Sequence, residues 1–434
     1  EPDLQRRPNI LRKMTVRTTL RQPNGAEAQS ELIPLVRPGT GKTAAVVVSS
    51  LDVRQRLPEP LQTGAYELRV AVQAPDGPHD FAESFRVAEG TPAAPHEFTI
   101  NADNALLMDG KAFFARGFMG GGPDVYGPVV QAGYNVGHSF GGGVDAQIRW
   151  LDGLQKLGMF GITGVPVSYI EKKDLEGLRE AVRKIRSHPA LLGYYFPDEP
   201  APSKEGMTPA DWQPFYDMMV QEDPYHPVMT TMYDPEFADD YAGCLDILMF
   251  DPYPIMTQRR PLTMVSDFIT RARELVHDRK PVWYVPQAFG YDVVEGLGKP
   301  PTWLTPTPEQ ERCMTYLGLA TGAGALVYYC YHVYTKYDEE KKKAGGWPWV
   351  LGGYLPEKQP AMWGALAKIG QEMTLLAPAL SRPSRMWQEG SVFLREIPPA
   401  GQEPGYLIAV NASEEKPADL TVKLQTRLPR LHEL

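Results

Sequence analysis

Leu191-Leu-Gly-Tyr-Tyr-Phe-Pro-Asp-Glu-Pro200 is an apolar, aromatic-rich run of strand length that stops on two adjacent acids. Pro197 and Pro200 bracket Asp198 and Glu199 and stiffen the tip that carries them. Burial and a like-charged neighbour each raise a carboxyl pKa, so a buried strand delivering two carboxylates predicts proton chemistry. Taken alone, an Asp-Glu pair is better explained as a polar loop capping the next helix. The surrounding pattern shifts that balance.

From about Phe98 the chain repeats strand, loop and helix. Strands are expected at Phe113–Gly117, Asn135–Ser139, Phe160–Val165, Leu191–Phe196, Pro227–Met232, Ile247–Phe250, Val282–Pro286 and Ala325–Cys330. Between them, Leu175, Leu178, Val182 and Ile185 recur at helical spacing and make one apolar face. Thr208-Pro209 and Thr307-Pro308 each set an N-cap before a first-turn proline, and Gln310 completes a capping box with Thr307. Eight strands alternating with helices predict a (β/α)8 TIM barrel of the α/β class. A doubly wound sheet is the alternative, but Gly120-Gly-Gly122 and Gly141-Gly-Gly143 lack the spacing of a dinucleotide turn.

Residues 1–95 read differently. Short alternating runs, Ala44–Val48 and Ala65–Val72, lie between Pro/Gly turns, and Gln73-Ala-Pro-Asp-Gly77 has hairpin chemistry. An immunoglobulin-like antiparallel β-sandwich is expected there, then a stiff linker at Thr91-Pro-Ala-Ala-Pro95. The barrel spans 96–380. Residues 381–434 form a small β-rich appendage, with strands expected at Ser391–Arg395, Gly405–Asn411 and Ala418–Leu424.

The composition is that of a globular chain: 434 residues, 43% hydrophobic, 22% charged. A net charge of −9 disfavours nucleic acid and anionic membranes as partners. No apolar run is long enough to span a bilayer. The chain opens on Glu1 in polar sequence, as a processed product would, and a secreted or periplasmic location is expected. Cys244, Cys313 and Cys330 look like small buried hydrophobes, and the eight His lack metal-ligand spacing, so no metal or cofactor is expected.

Chemistry in such barrels lies at the C-terminal strand ends. Those positions supply Arg116, His138, Asp198 and Glu199, Tyr233, Asp251 and Tyr253, Gln287, and Tyr331 with His332. Trp283, Trp347 and Trp349 lie nearby in sequence and could stack on the apolar faces of sugar rings. A carbohydrate cleft is the expectation.

Phe98-Thr-Ile, Leu107-Met-Asp-Gly-Lys-Ala-Phe-Phe-Ala-Arg-Gly117 and His188–Pro200 resemble the start and fourth strand of clan-A glycoside hydrolases, the β-galactosidase and cellulase-like families. The resemblance covers roughly residues 98–377 and implies that Glu199 is the acid/base. It departs in two places. Asp198 stands where those families usually have Asn, and Gln287 stands where they carry the nucleophilic Glu after strand seven. An amide cannot be that nucleophile, so a retaining double displacement is in doubt. Gln287 could also be an engineered replacement for a glutamate. Three readings stay open: inversion with Glu199 as acid and Asp251 activating water; a substrate-assisted, hexosaminidase-like mechanism using Asp198 and Glu199, with Tyr253 holding the acetamido oxygen; or a non-catalytic sugar-binding pseudo-glycosidase.

Overall fold

The computed structural model describes residues 15–22, 24–29, 33–34, 64–74, 77–87 and 94–424, apart from 102, 205, 298–299, 346–347, 415–416 and 419–420. The chain divides into two compact units, Glu1–Pro92 and Ala93–Leu434. In the first, β1 (Thr15–Arg21), β2 (Glu27–Gln29), β3 (Ile33–Pro34), β4 (Gly64–Ala74) and β5 (Gly77–Val87) form one antiparallel sheet. The expected hairpin is there: β4 and β5 pair in register out to Ala74 opposite Gly77. The expected strand Ala44–Val48 lies outside the described residues.

In the second unit, β6 (Phe98–Ile100), β7 (Leu106–Met108) and β8 (Lys111–Ala112) form a small antiparallel sheet. Phe98 and Leu106 belong to the same buried cluster as Val136, Leu192 and Ile247, so this sheet plugs one end of the barrel. The rings of Phe98, Phe113 and Phe160 meet edge-on at 5.3–5.5 Å there. A buried Phe contributes about 1.5–3 kcal/mol, so the plug is a substantial part of the core.

Eight parallel strands then close the barrel: β9 (Arg116–Met119), β10 (Val136–Ser139), β11 (Phe160–Gly164), β12 (Leu191–Tyr195), β13 (Val228–Met232), β14 (Ile247–Phe250), β15 (Val282–Tyr284) and β16 (Leu326–Tyr328). Seven of them fall within the expected ranges. The first is displaced. Phe113 N–H donates to Leu106 O, so the run from 111 to 113 belongs to the plug and the barrel strand begins at Arg116. Gly117 permits the close approach of β9 to β10, since a Cβ there would sit 1.8 Å from Val136 O.

The helix Leu175–Ile185 buries Leu178, Val182 and Ile185, and Asp174 caps it through Gly177 N–H. Capping boxes start the helices Pro209–Glu222 and Pro308–Ala320, the first using Asp211 in place of a longer acid or amide. After β16 the chain adds a hairpin, β17 (His332–Tyr337) and β18 (Trp349–Tyr354). A C-terminal sheet follows, β19 (Arg385–Glu389), β20 (Val392–Ile397) and β21 (Tyr406–Asn411). Of the expected Ala418–Leu424 strand, the described residues are irregular. Its place is taken by β19, whose polar, largely exposed residues carry little strand signal. Among the described residues no helix is long and apolar enough to cross a membrane.

Candidate active site

The fourth barrel strand, β12, is buried throughout and hands the chain to Pro197, Asp198, Glu199 and Pro200 at the C-terminal mouth. Thr230 Oγ1 donates to Phe196 O and Pro197 O at 3.1 and 3.0 Å, and Glu199 N–H donates to Thr231 O at 3.0 Å. These bonds to β13 hold the tip while Glu199 sits at φ +48°, in the left-handed region. A non-glycine residue there costs on the order of 1 kcal/mol, a cost the surrounding bonds must offset.

The Tyr195 hydroxyl donates to Asp198 Oδ1 and accepts from Thr231 N–H at 3.3 Å. Burial and the Asp198 charge keep that phenol protonated, so it remains a donor. Asp198 and Glu199 are both exposed at the tip, although protein backs the Asp198 carboxyl closely. Burial, with the Glu199 charge adding to it, raises its pKa to about 6 against the pull of the Tyr195 bond.

Asp251 follows β14 and is buried. Burial first, then the Glu199 and Asp198 charges, hold its pKa well above the carboxylate range, opposed by a hydrogen bond from Tyr253. Its Oδ1 is buried without a hydrogen-bond partner. His138 on β10 is fully buried with both ring nitrogens unpartnered, and burial depresses its pKa to about 3. It is therefore a neutral imidazole, edge-on to Tyr195 at 4.2 Å and to Phe140 at 4.6 Å. Thr231 Oγ1 is also buried and unpartnered. Unmet polar atoms at a barrel mouth mark where a polar ligand or water is accommodated.

Aromatic rings border this cluster. Phe140 and Tyr233 are 48% and 46% exposed, unusual for rings of that size, and both therefore offer bare faces to solvent. Tyr253 stacks near Tyr329 and meets Phe289, which leads through Tyr291 to Trp349. Phe140, Val165, Tyr195, Pro197 and Asp198 line a cavity of about 310 Å³ beside the acid tip.

The structure thus brings Asp198, Glu199, Asp251, His138 and Tyr253 to one mouth. Others sit elsewhere. Arg116 begins its strand instead of ending it, and its guanidinium donates to Gly133 O, Phe114 O and Thr374 Oγ1 at the opposite end of the barrel. Trp283 points into the barrel core and is buried among Met249, Val285 and Val327. Tyr331 is packed between Phe118, Tyr126 and Trp363, with its hydroxyl on Val125 O. His332 Nε2 accepts from Gly121 N–H at 2.7 Å and props the glycine turn after β9. Trp349 already has one face covered by Tyr291 at 4.3 Å. Trp347 lies outside the described residues.

Gln287 is fully buried and fully engaged. Its Oε1 accepts from Ile255 N–H at 3.0 Å, and its Nε2 faces Ile255 O, Phe289 O and Leu304 O at 3.0–3.3 Å. A glutamate there would set a carboxylate against three carbonyl oxygens. The amide donates to all three and ties the loops after β14 and β15 together.

Sequence reasoning missed Tyr195, Thr231 and Phe140. The signal available was Tyr194-Tyr195 ending an otherwise aliphatic strand three residues before Asp198; the alternation that turns Tyr195 inward is broken by a bulge between β11 and β12.

No protein-family model matches the sequence, and no curated protein matches it significantly. Solved structures with a similar chain path include a β-D-glucuronidase from Dictyoglomus thermophilum, at 14% identity and TM-score 0.46 over 83% of this chain and 64% of that one. A GH2 β-galacturonidase from Eisenbergiella tayi, bound to galacturonate, aligns at 12% identity and TM-score 0.47 over 84% of this chain and 67% of that one. A β-glucuronidase from an uncultured Clostridium gives 13% and 0.45, over 83% and 64%. The chain spans less than two thirds of the length of the two glucuronidases. Likeness this remote says nothing of activity, and the barrel assignment rests on the closed strand order itself.

Proposed function

We propose that the protein hydrolyses O-glycosidic bonds of an oligo- or polysaccharide at the C-terminal mouth of its barrel. Glu199 delivers the proton to the leaving oxygen. The observation that carries this reading is the convergence of Asp198, Glu199 and Asp251, with Asp198 and Asp251 pushed up by burial and by neighbouring carboxylate charge, among exposed aromatic rings.

The Glu199 charge is one of the causes that hold Asp251 neutral, so protonating Glu199 makes Asp251 easier to ionise. Inversion calls for Glu199 as the proton donor, and Asp251 must release its own proton before it can act as the base. Glu199 gives its proton to the glycosidic oxygen as the C–O bond breaks. Asp251 takes a proton from the water that attacks the anomeric carbon, and the outcome is inversion. Neutral His138 and the free Thr231 hydroxyl are buried and back the mouth from inside the barrel.

A substrate-assisted mechanism is the second reading, supported by Asp198 being fixed beside Glu199 by Tyr195. The engagement of Tyr253 with Asp251 weighs against it, because that hydroxyl is then not free for an acetamido oxygen. The test is product release from a glycan panel, with NMR of the anomer first formed. Inversion supports the Glu199/Asp251 assignment, and retention confined to acetamido sugars moves the role to Asp198. Binding with no release of any product would make the protein a sugar binder instead.

A further inference from the structure

At the far end of the barrel a second cavity, about 290 Å³, opens between the starts of β15 and β16, the β6–β7 loop and the C-terminal sheet. Four cations line it, Arg273, Lys280, Arg382 and Arg395, against two carboxylates, Asp103 and Asp278. That surplus of positive charge stands out in a chain whose net charge is −9.

The cations are built into the fold. Arg395 is 5% exposed, so it is held in the wall of the cavity, and its bonds run to neutral oxygens: Ser384 Oγ, Leu319 O and Leu380 O, at 2.9–3.0 Å. Arg382 donates through Nη2 to Pro404 O at 2.7 Å, while its Nε and Nη1 are buried with no hydrogen-bond partner. Arg273 spends its Nε on Asp278 at 2.8 Å and its Nη1 on Thr321 O. Gly322, at φ +99°, lets that guanidinium approach, since a Cβ there would come within 2.5 Å of Arg273 Nη1. Burial and the nearby Arg273 charge work against protonation of Arg395, pulling its pKa down to about 10. Buried guanidinium donors without acceptors are costly, and cations crowded this way repel one another. Both costs are relieved by a tetrahedral oxyanion, whose several oxygens match guanidinium forks.

We propose that this cavity binds a phosphate or sulfate group, held by Arg382 and Arg395 with Arg273 and Lys280 supplying further positive charge. Its volume lies at the small end of ligand sites, which suits one oxyanion or a single sugar bearing one. The site is separate from the carboxyl mouth, so it stands or falls independently of the proposed glycosidase activity.

The experiment is thermal unfolding of the whole chain, titrated with inorganic phosphate and with sulfate against chloride at matched ionic strength. A specific site gives a stabilisation that saturates with ligand, whereas general salting effects keep rising. Arg382→Gln should weaken the apparent affinity about tenfold or more, as expected for losing a charged hydrogen-bonding partner. Ser384→Asp places a carboxylate beside Arg395 and should abolish the response in a folded protein. A shift that never saturates, or an equal response in either variant, overturns the proposal. If Arg382→Gln fails to fold, Ser384→Asp alone decides. A sugar 6-phosphate compared with inorganic phosphate then names the source: tighter binding of the ester points to a group carried on a sugar, and equal or weaker binding to the free ion.

Discussion

At the C-terminal mouth Asp198, Glu199 and Asp251 crowd together, with Lys204 the one cation among the described residues that line the cavity beside Asp198; at the opposite end Arg273, Arg382 and Arg395 crowd one cavity with too few acids to match them. The mouth adds backbone strain at Glu199 and unpartnered atoms on His138, Thr231 and Asp251. The base instead secures most of its cationic donors with backbone carbonyls, as Arg116 and Arg395 do. One scaffold thus gathers acids at one end and cations at the other, with Arg382 the base's own unpartnered donor. Stability is given up at the mouth and recovered in the walls and base.

The sharpest way to break this contrast is Glu199→Gln. Loss of a general acid should lower kcat by about 10²–10⁴-fold with sugar affinity retained. Unchanged turnover would remove Glu199 from the mechanism. Gln287→Glu comes next. A carboxylate facing three carbonyls should cost roughly 3–5 kcal/mol in denaturant unfolding, as for a buried charge without a partner. A stable, more active Gln287→Glu protein would instead mean that strand seven belongs to the catalytic set.

Arg116→Ala tests the base. Losing its bonds to Gly133, Phe114 and Thr374 should lower stability by about 2 kcal/mol while kcat stays unchanged. A fall in kcat at equal folding would erase the division between the two ends.

Asp198→Asn sharpens the mouth. Burial raises the Asp198 pKa from 3.8 to about 6, so between those values the folded chain holds a proton that the unfolded chain has lost. This contribution to stability is full below 3.8 and is lost as pH rises through about 6. Asp198→Asn should therefore gain stability over the parent above that window, in melts run on either side of it. Any activity limb near pH 6 should move in the same variant. Smallest is Trp349→Ala. With Tyr291 stacked on it and Tyr334 and Tyr337 packed against it, the ring has little surface left for a sugar, and its loss should weaken binding at most about 2- to 10-fold by calorimetry.

The strand–helix rhythm, the N-caps at Thr208 and Thr307, and the acid pair on β12 were legible in the chain, because each depends on neighbours close in sequence. So was the departure at Gln287, as a residue type. Its role was not. Only the loops after β14 and β15 folding together show that its amide ties Ile255 to Leu304. The direction of Arg116 depended on where the plug ends and the barrel begins, which local apolar patterning does not mark. Tyr331 and Trp283 have the composition of a sugar platform, but the packing of distant strands consumes both. Sequence by itself determined most of the barrel's strands and helices and which strand end carries the acids, since helix and strand periodicity are local. Tertiary structure decided which polar groups stay unpaired. That depends on partners supplied from far along the chain, and it separates the mouth from the base.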